Sequence, residues 1–183
     1  MAITKIQSES LNLADDFAFT GTITGAGGIT EADQWRLNAD FSVSADVNTV
    51  INSNWEKVDT ANYGTIGSGM TQSSGIFTFP STGIYLIHHQ ASALRAGQTR
   101  YWEIEIWVST DGGSNFTQAT KTTSNIPNLG STLATGSTQI LVDVTSTSLV
   151  KVQFRTIGDE SYTLRGNTSY TRTGATFIKL GDT

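Results

Sequence analysis

The chain has 183 residues and a net charge of −5, which suits one domain of ordinary size with an extension. Only 15% of the residues are charged, which leaves no basic stripe to follow a phosphate backbone, so we expect no nucleic-acid partner. Cysteine is absent, which excludes a disulfide framework and a cysteine-based zinc site. No apolar run approaches the length of a membrane span, so we expect no membrane insertion.

The composition favours β-structure. Threonine and serine dominate the chain, and glycine is also frequent. Threonine is a β-branched residue that favours strands, whereas serine and glycine favour turns. Few segments have the composition of a helix. The sequence therefore predicts an all-β fold with many short strands joined by turns.

Residues 1–34 differ from the rest of the chain. Short apolar runs lead into the glycine-rich segment 25–28, which we interpret as a hinge. We expect residues 1–34 to form an extended attachment arm and residues 35–183 to form the folded domain. Because the arm has no second layer of its own, it must bury its apolar side chains on a partner. The residues expected to make this attachment are Leu11, Leu13, Phe17, Phe19 and Ile23.

Alternating apolar and polar residues predict half-buried strands in the rest of the chain. The clearest runs are residues 35–43 and 101–108, and residues 75–87 fit a strand, a tight turn and a second strand. Residues 48–53 fit a short strand or one helical turn equally well. Further strands are expected at residues 140–144, 149–154 and 175–180. The total of eight to ten strands has the spacing of a β-sandwich.

Residues 74–93 carry a recognisable motif. The run from Gly75 to Tyr85 matches the C1q-type pattern G-x-F-x-x-P-x-x-G-x-Y, with Pro80 and Gly83 in place. The run from Thr176 to Leu180 is similar to the closing strand of the same family. Residues 35–181 therefore resemble the C1q/TNF-like family. The resemblance implies a ten-stranded antiparallel jelly-roll sandwich that assembles as a compact homotrimer and acts as a binding or scaffolding module, without a cofactor.

The arm carries a second resemblance. Residues 3–6 and 11–22 resemble a segment that recurs in structural proteins of tailed phages, especially marine ones, fibre-like proteins among them. This resemblance implies a virion protein, made in the cytoplasm of a bacterial host. It implies a tail fibre, a spike or a capsid decoration protein that binds other virion proteins through residues 1–34 and also meets a glycan or protein of the host surface. The alternative is a lectin-like receptor- or glycan-binding module without a structural role.

Aromatic residues on both faces of the predicted strands indicate that one sheet face lies in the core and another lies against a neighbouring subunit. His88 and His89 would point to opposite faces of one strand, so they cannot bind one metal ion within a subunit. Two interpretations of these histidines remain open. They are structural residues near a trimer contact, or one histidine from each subunit joins a cluster on the three-fold axis. The candidates for trimer or core packing are Tyr85, His89, Trp102, Trp107 and Phe177.

Catalytic motifs are poorly represented. Glu103 and Glu105 share a strand face, and Asp15 and Asp16 are adjacent. Either pair could provide the acid and base of a glycosidase, but exposed carboxylates are ordinary. The segment 25–28 lacks the Lys-Ser/Thr of a phosphate-binding loop, and the G-x-S-x-G motif of serine hydrolases does not occur. We therefore expect no enzymatic activity, no catalytic residue, no cofactor and no metal site.

Overall fold

The computed structural model describes residues 28–183, and all of its regular secondary structure is β-structure. None of these residues forms a helix long and apolar enough to cross a membrane. The expected all-β fold is confirmed. The strands are β1 (Ala32–Leu37), β2 (Phe41–Val43), β3 (Thr49–Val50), β4 (Trp55–Lys57), β5 (Thr71–Ser73), β6 (Ile76–Thr78), β7 (Gly83–Ala96), β8 (Thr99–Ser109), β9 (Thr117–Ile126), β10 (Ser131–Val144), β11 (Lys151–Gly158), β12 (Tyr162–Leu164) and β13 (Gly174–Gly181).

The strands form two antiparallel sheets. Sheet I has the order β2-β12-β7-β13-β1-β4, and β10 pairs with the other edge of β7. Sheet II has the order β5-β6-β11-β8-β9, with β3 also pairing with β11. The expected antiparallel sandwich is therefore present. It has more than ten strands in the described residues because several of them contain only two or three residues.

The core between the sheets is built around one aromatic ring. Phe77 of sheet II is fully buried, and its ring centroid lies 5.2–5.4 Å from four other ring centroids. Aromatic pairs at such distances contribute roughly 0.5–1.5 kcal/mol each beyond their burial. The four rings that surround it are those of Trp35, Trp55, Phe154 and Phe177.

Two sequence expectations need adjustment. The single strand predicted over residues 35–43 is divided into β1 and β2, because Asp40 holds a bend between them: it accepts a hydrogen bond from the Gly166 N–H at 3.0 Å and pairs with Arg165 at 2.8 Å. Residues 48–53 contain a short strand, β3, rather than a helical turn. The long strand β9 was not predicted at all.

The boundary between arm and domain stays a prediction. Strand β1 begins at Ala32, slightly before the predicted start of the domain at residue 35, and its residues 32–34 pair with β13. The proposed attachment residues Leu11, Leu13, Phe17, Phe19 and Ile23 lie outside the described residues.

Candidate assembly surface

Strand β7 is apolar on both of its faces. Tyr85, Ile87 and His89 are buried between the sheets, whereas Leu86 and His88 point away from the core. The neighbouring strands β10 and β13 follow the same alternation, so their outward residues share one surface with those of β7. We call this surface the open face. Its side chains include Ile84, Leu86, His88, Gln90 and Leu94 of β7, Leu133, Thr135, Ser137, Gln139 and Leu141 of β10, and Thr176 and Ile178 of β13.

One end of the open face carries an aliphatic row, beside the exposed Asp143 that lies opposite Ile84. Leu141, Leu86 and Ile178 lie opposite one another in the register of three adjacent strands. Leu141 is 58% exposed. A second aliphatic pair, Leu133 and Leu94, lies eight residues along β10, about 27 Å away at roughly 3.4 Å per residue. Full burial of a leucine side chain contributes roughly 1.5–3 kcal/mol, so each half-exposed leucine has about 1 kcal/mol to gain from a cover.

The middle of the open face is polar. His88 lies between Gln139 and Thr176 in the sheet register. A hollow of about 270 Å³ borders His88 and Gln90, and the ring of Tyr63 forms one of its walls. Amide, hydroxyl and imidazole groups placed this way would specify how a partner must align, because each must find a hydrogen-bond partner when water is excluded.

His89 belongs to the core and not to the open face. Its Nδ1 lies 2.9 Å from the carbonyl oxygen of Gly174, which only accepts hydrogen bonds, so Nδ1 carries the proton of the neutral ring. Nε2 is buried and has no hydrogen-bond partner among the described residues. The centroid of the ring lies 4.5 Å from that of Phe154. Burial lowers the pKa of His89 to about 4.

The other packing candidates are divided between the two regions. Tyr85, Trp102 and Phe177 are almost completely buried within the subunit. Trp107 is only partly buried and lies on the outward face of sheet II, so for this residue a contact with a neighbour stays a prediction. The aliphatic residues of the open face were missed by a search for aromatics. The available signal was the pair Ile84 and Leu86, which make β7 apolar on its second face.

The two glutamates suggested for acid–base chemistry have structural partners. Glu103 pairs with Lys121 at 2.9 Å and accepts a hydrogen bond from Thr123 at 3.0 Å. Glu105 is buried and accepts hydrogen bonds from Asn48 and from the indole N–H of Trp107. Between residues 28 and 183, no three metal-binding side chains are grouped as a metal site would need.

No protein-family model matches the sequence, and no curated protein matches it. Solved structures share its architecture. The Eiger TNF of S. frugiperda is 12% identical, with a TM-score of 0.63 over 85% of this chain and 96% of its own. The fold is a TNF-like jelly roll. Murine APRIL at pH 5.0 is also similar to this chain, at 14% identity and a TM-score of 0.54 over 82% of this chain and 98% of its own.

These likenesses confirm the fold that the C1q/TNF-like resemblance implied. At 12% and 14% identity they show the fold alone. Within this TNF-like jelly roll, the open face is the outward side of the three adjacent strands β10, β7 and β13.

Proposed function

We propose that the chain assembles as a homotrimer through the open face and serves as a non-enzymatic structural protein on the virion surface of a tailed phage. The observation that carries the assembly is the aliphatic row Leu141, Leu86 and Ile178, which a monomer leaves in contact with water. Contiguous apolar surface of this kind marks an interaction site, and identical subunits cover it most simply by closed symmetry.

Three-fold rather than two-fold assembly is supported by the C1q/TNF-like resemblance of residues 35–181, which implies a compact trimer. The distribution of polarity supports an extended contact along β10. Aliphatic contacts at both ends of β10 allow a neighbour to rest along the whole strand, and the polar middle around His88 and Gln139 fixes its alignment.

The place in a virion is supported by residues 3–6 and 11–22, which resemble a segment of phage structural proteins. In this proposal, residues 1–34 attach the trimer to other virion proteins as part of a fibre, a spike or a head decoration, and the jelly rolls meet a glycan or protein of the host surface. The absence of catalytic turnover is supported by the structural partners of Glu103 and Glu105.

Substitution of one leucine tests the assembly surface. Leu141→Glu places a charge where a neighbour would exclude water, while the exposed side chain leaves the fold of the subunit intact. We expect this variant to elute and cross-link as a monomer. Leu149→Glu is the matched control, because Leu149 is 50% exposed but lies in the turn before β11. If both variants remain trimeric, the open face is not the interface.

Particles test the virion role. Electron microscopy of purified particles with a gold-labelled antibody to this chain should show label at a fixed position on the surface. A chain that lacks residues 1–27, so that β1 is kept whole, should form trimers and fail to enter particles. Normal incorporation of the shortened chain would show that the arm is not the anchor, and unlabelled particles would refute the virion role.

A further inference from the structure

The outward face of sheet II carries an arginine stacked on a tryptophan. The guanidinium carbon of Arg155 lies 3.9 Å from the centroid of the Trp107 ring. The indole N–H of Trp107 donates a hydrogen bond to Glu105, and Asn48 donates another to the same carboxylate at 2.9 Å. These bonds fix the plane of the indole and, through stacking, the orientation of the guanidinium.

The guanidinium of Arg155 forms no ion pair with a carboxylate among the described residues. Glu105 lies opposite it in the sheet register, but Arg155 forms no ion pair with it, and the Nε of Arg155 is buried without a hydrogen-bond partner. Partial burial lowers the pKa of Arg155, and the charge of Glu105 opposes this effect only in part. By contrast, four of the six arginines of the chain pair with carboxylates, namely Arg36, Arg95, Arg100 and Arg165.

We propose that Arg155 and Trp107 form a binding site for an acidic sugar of a surface glycan. The planar guanidinium offers paired N–H donors that match the oxygens of a carboxylate or a sulfate. Trp107 is partly exposed, so the part of its indole that Arg155 does not cover offers an apolar surface for the sugar ring. Gln118, which lies opposite Trp107 on β9 and is exposed, adds an amide for sugar hydroxyls.

The net charge of the chain restricts which acidic glycans the site can bind. A net charge of −5 opposes a densely anionic polymer, whereas a single acidic unit in an otherwise neutral glycan meets less of this repulsion. The nearest carboxylate, Glu105, already accepts hydrogen bonds from Asn48 and Trp107, while the guanidinium of Arg155 forms no ion pair among the described residues. An acidic peptide would use the guanidinium but would gain little from the indole. The inference rests on the proposed function only for the source of the glycan, a host surface, where three copies in a trimer would add avidity.

Small matched sugars test the site in the purified full-length chain. We expect 3′-sialyllactose or 3′-sulfolactose to bind, with the stronger of the two identifying the acid group, and lactose to bind at least tenfold more weakly. Arg155→Gln and Trp107→Leu should each weaken binding at least tenfold. The affinity of Arg155→Lys should lie between those of Arg155→Gln and the unmodified chain, because lysine keeps the charge and loses the paired donors. Arg100→Gln is the control, since Arg100 is 78% exposed and pairs with Asp159.

Several results would overturn the site. These are the failure of both acidic sugars to bind, equal binding of lactose, unchanged binding by Arg155→Gln, or equal binding of a glutamate-containing peptide, which would indicate a protein partner. Circular dichroism of each variant separates loss of the site from loss of the fold. Because the site lies within one subunit, Arg155-dependent binding by an unmodified chain that is monomeric in solution would support the site while refuting the proposed trimer.

Discussion

Acid should destabilise this protein through one buried histidine. His89 is completely buried as a neutral ring, with its Nδ1 proton donated to the Gly174 carbonyl and its Nε2 facing no partner among the described residues. A second proton on Nε2 would place an unpaired N–H and a positive charge between the rings of Phe154 and Trp55. The folded state therefore resists protonation, whereas the unfolded chain accepts the proton readily.

The pKa values set the sign and the size of the effect. The pKa of His89 is about 4 in the folded state and 6.5 in its ordinary environment. Between these values the unfolded chain binds more protons than the folded one, so stability falls as the pH decreases through this window and is unaffected by this group above it. The whole shift corresponds to about 3 kcal/mol, of which about 2.5 kcal/mol is lost by pH 4.5.

Urea unfolding at pH 7 and pH 4.5 measures this loss. His89→Asn keeps an N–H for the Gly174 carbonyl but does not titrate, so its stability should be lower at pH 7 and less dependent on pH. The free-energy difference between the unmodified chain and the variant should shrink by about 2–3 kcal/mol on acidification. Both proteins share all of their carboxylates and the other histidine, so the change in this free-energy difference measures the contribution of His89 alone.

His88→Asn provides the control when it is made in the Leu141→Glu chain, since His88 lies on the open face, which a monomer leaves in water, and not in the core. This double variant should retain the acid sensitivity of Leu141→Glu alone. If His89→Asn loses stability in acid as steeply as the unmodified chain, another group is responsible and the role assigned to His89 is refuted.

Two further predictions concern single positions in the fold. In urea unfolding, Gly75→Ala should lower the free energy of unfolding by at least about 2 kcal/mol more than Gly130→Ala does. Both glycines have positive φ (78° and 84°), but a Cβ at Gly75 would lie 2.4 Å from the Ile51 carbonyl oxygen, while nothing lies within 4 Å of a Cβ at Gly130. Equal losses of stability would contradict this prediction. Asp33→Ala should lower the free energy of unfolding by about 2–4 kcal/mol, and Asp33→Asn should lower it less. The buried carboxylate accepts hydrogen bonds from the Trp35 indole at 2.9 Å and the Met70 N–H at 2.8 Å, and asparagine keeps one acceptor oxygen for them. An asparagine variant as unstable as the alanine variant would refute this role for Asp33.

The longest stretches of strand missed by sequence analysis, β9 and the first half of β10, are rich in threonine. Strand β9 and the first half of β10 are rich in threonine and serine, and most of their other residues are polar or small. The Thr120 and Thr138 hydroxyls meet at 2.9 Å where these strands approach. Hydrophobic periodicity therefore provided no signal for them. The β-propensity of threonine did point to strands, but only through the composition of the whole chain.

The assembly surface was only partly predictable. Alternation placed His88 and His89 on opposite faces of one strand, which the structure confirms. It left open which face met the core, because Ile84 and Leu86 are as apolar as Ile87. Which face of β7 is buried depends on the packing of sheet II against sheet I, and the sequence of β7 alone does not determine that packing.

The Arg155 site was beyond sequence analysis for a similar reason. Alternation placed Trp107 with Glu103 and Glu105 on one face of β8, as observed. The stacking of Arg155 on Trp107 depends on the register between β8 and β11, which are widely separated in the chain. Such long-range pairing is fixed by the folded sheet and not by the residues on either side.

The molar mass of the purified chain in solution tests the central claim most directly. Light scattering coupled to size-exclusion chromatography at micromolar concentration should give three times the mass of one chain, which is 19.6 kDa. A single species at 19.6 kDa would mean that the open face is left uncovered in solution. A species of twice that mass would mean that the face is covered by two-fold pairing, and either result would contradict the trimer.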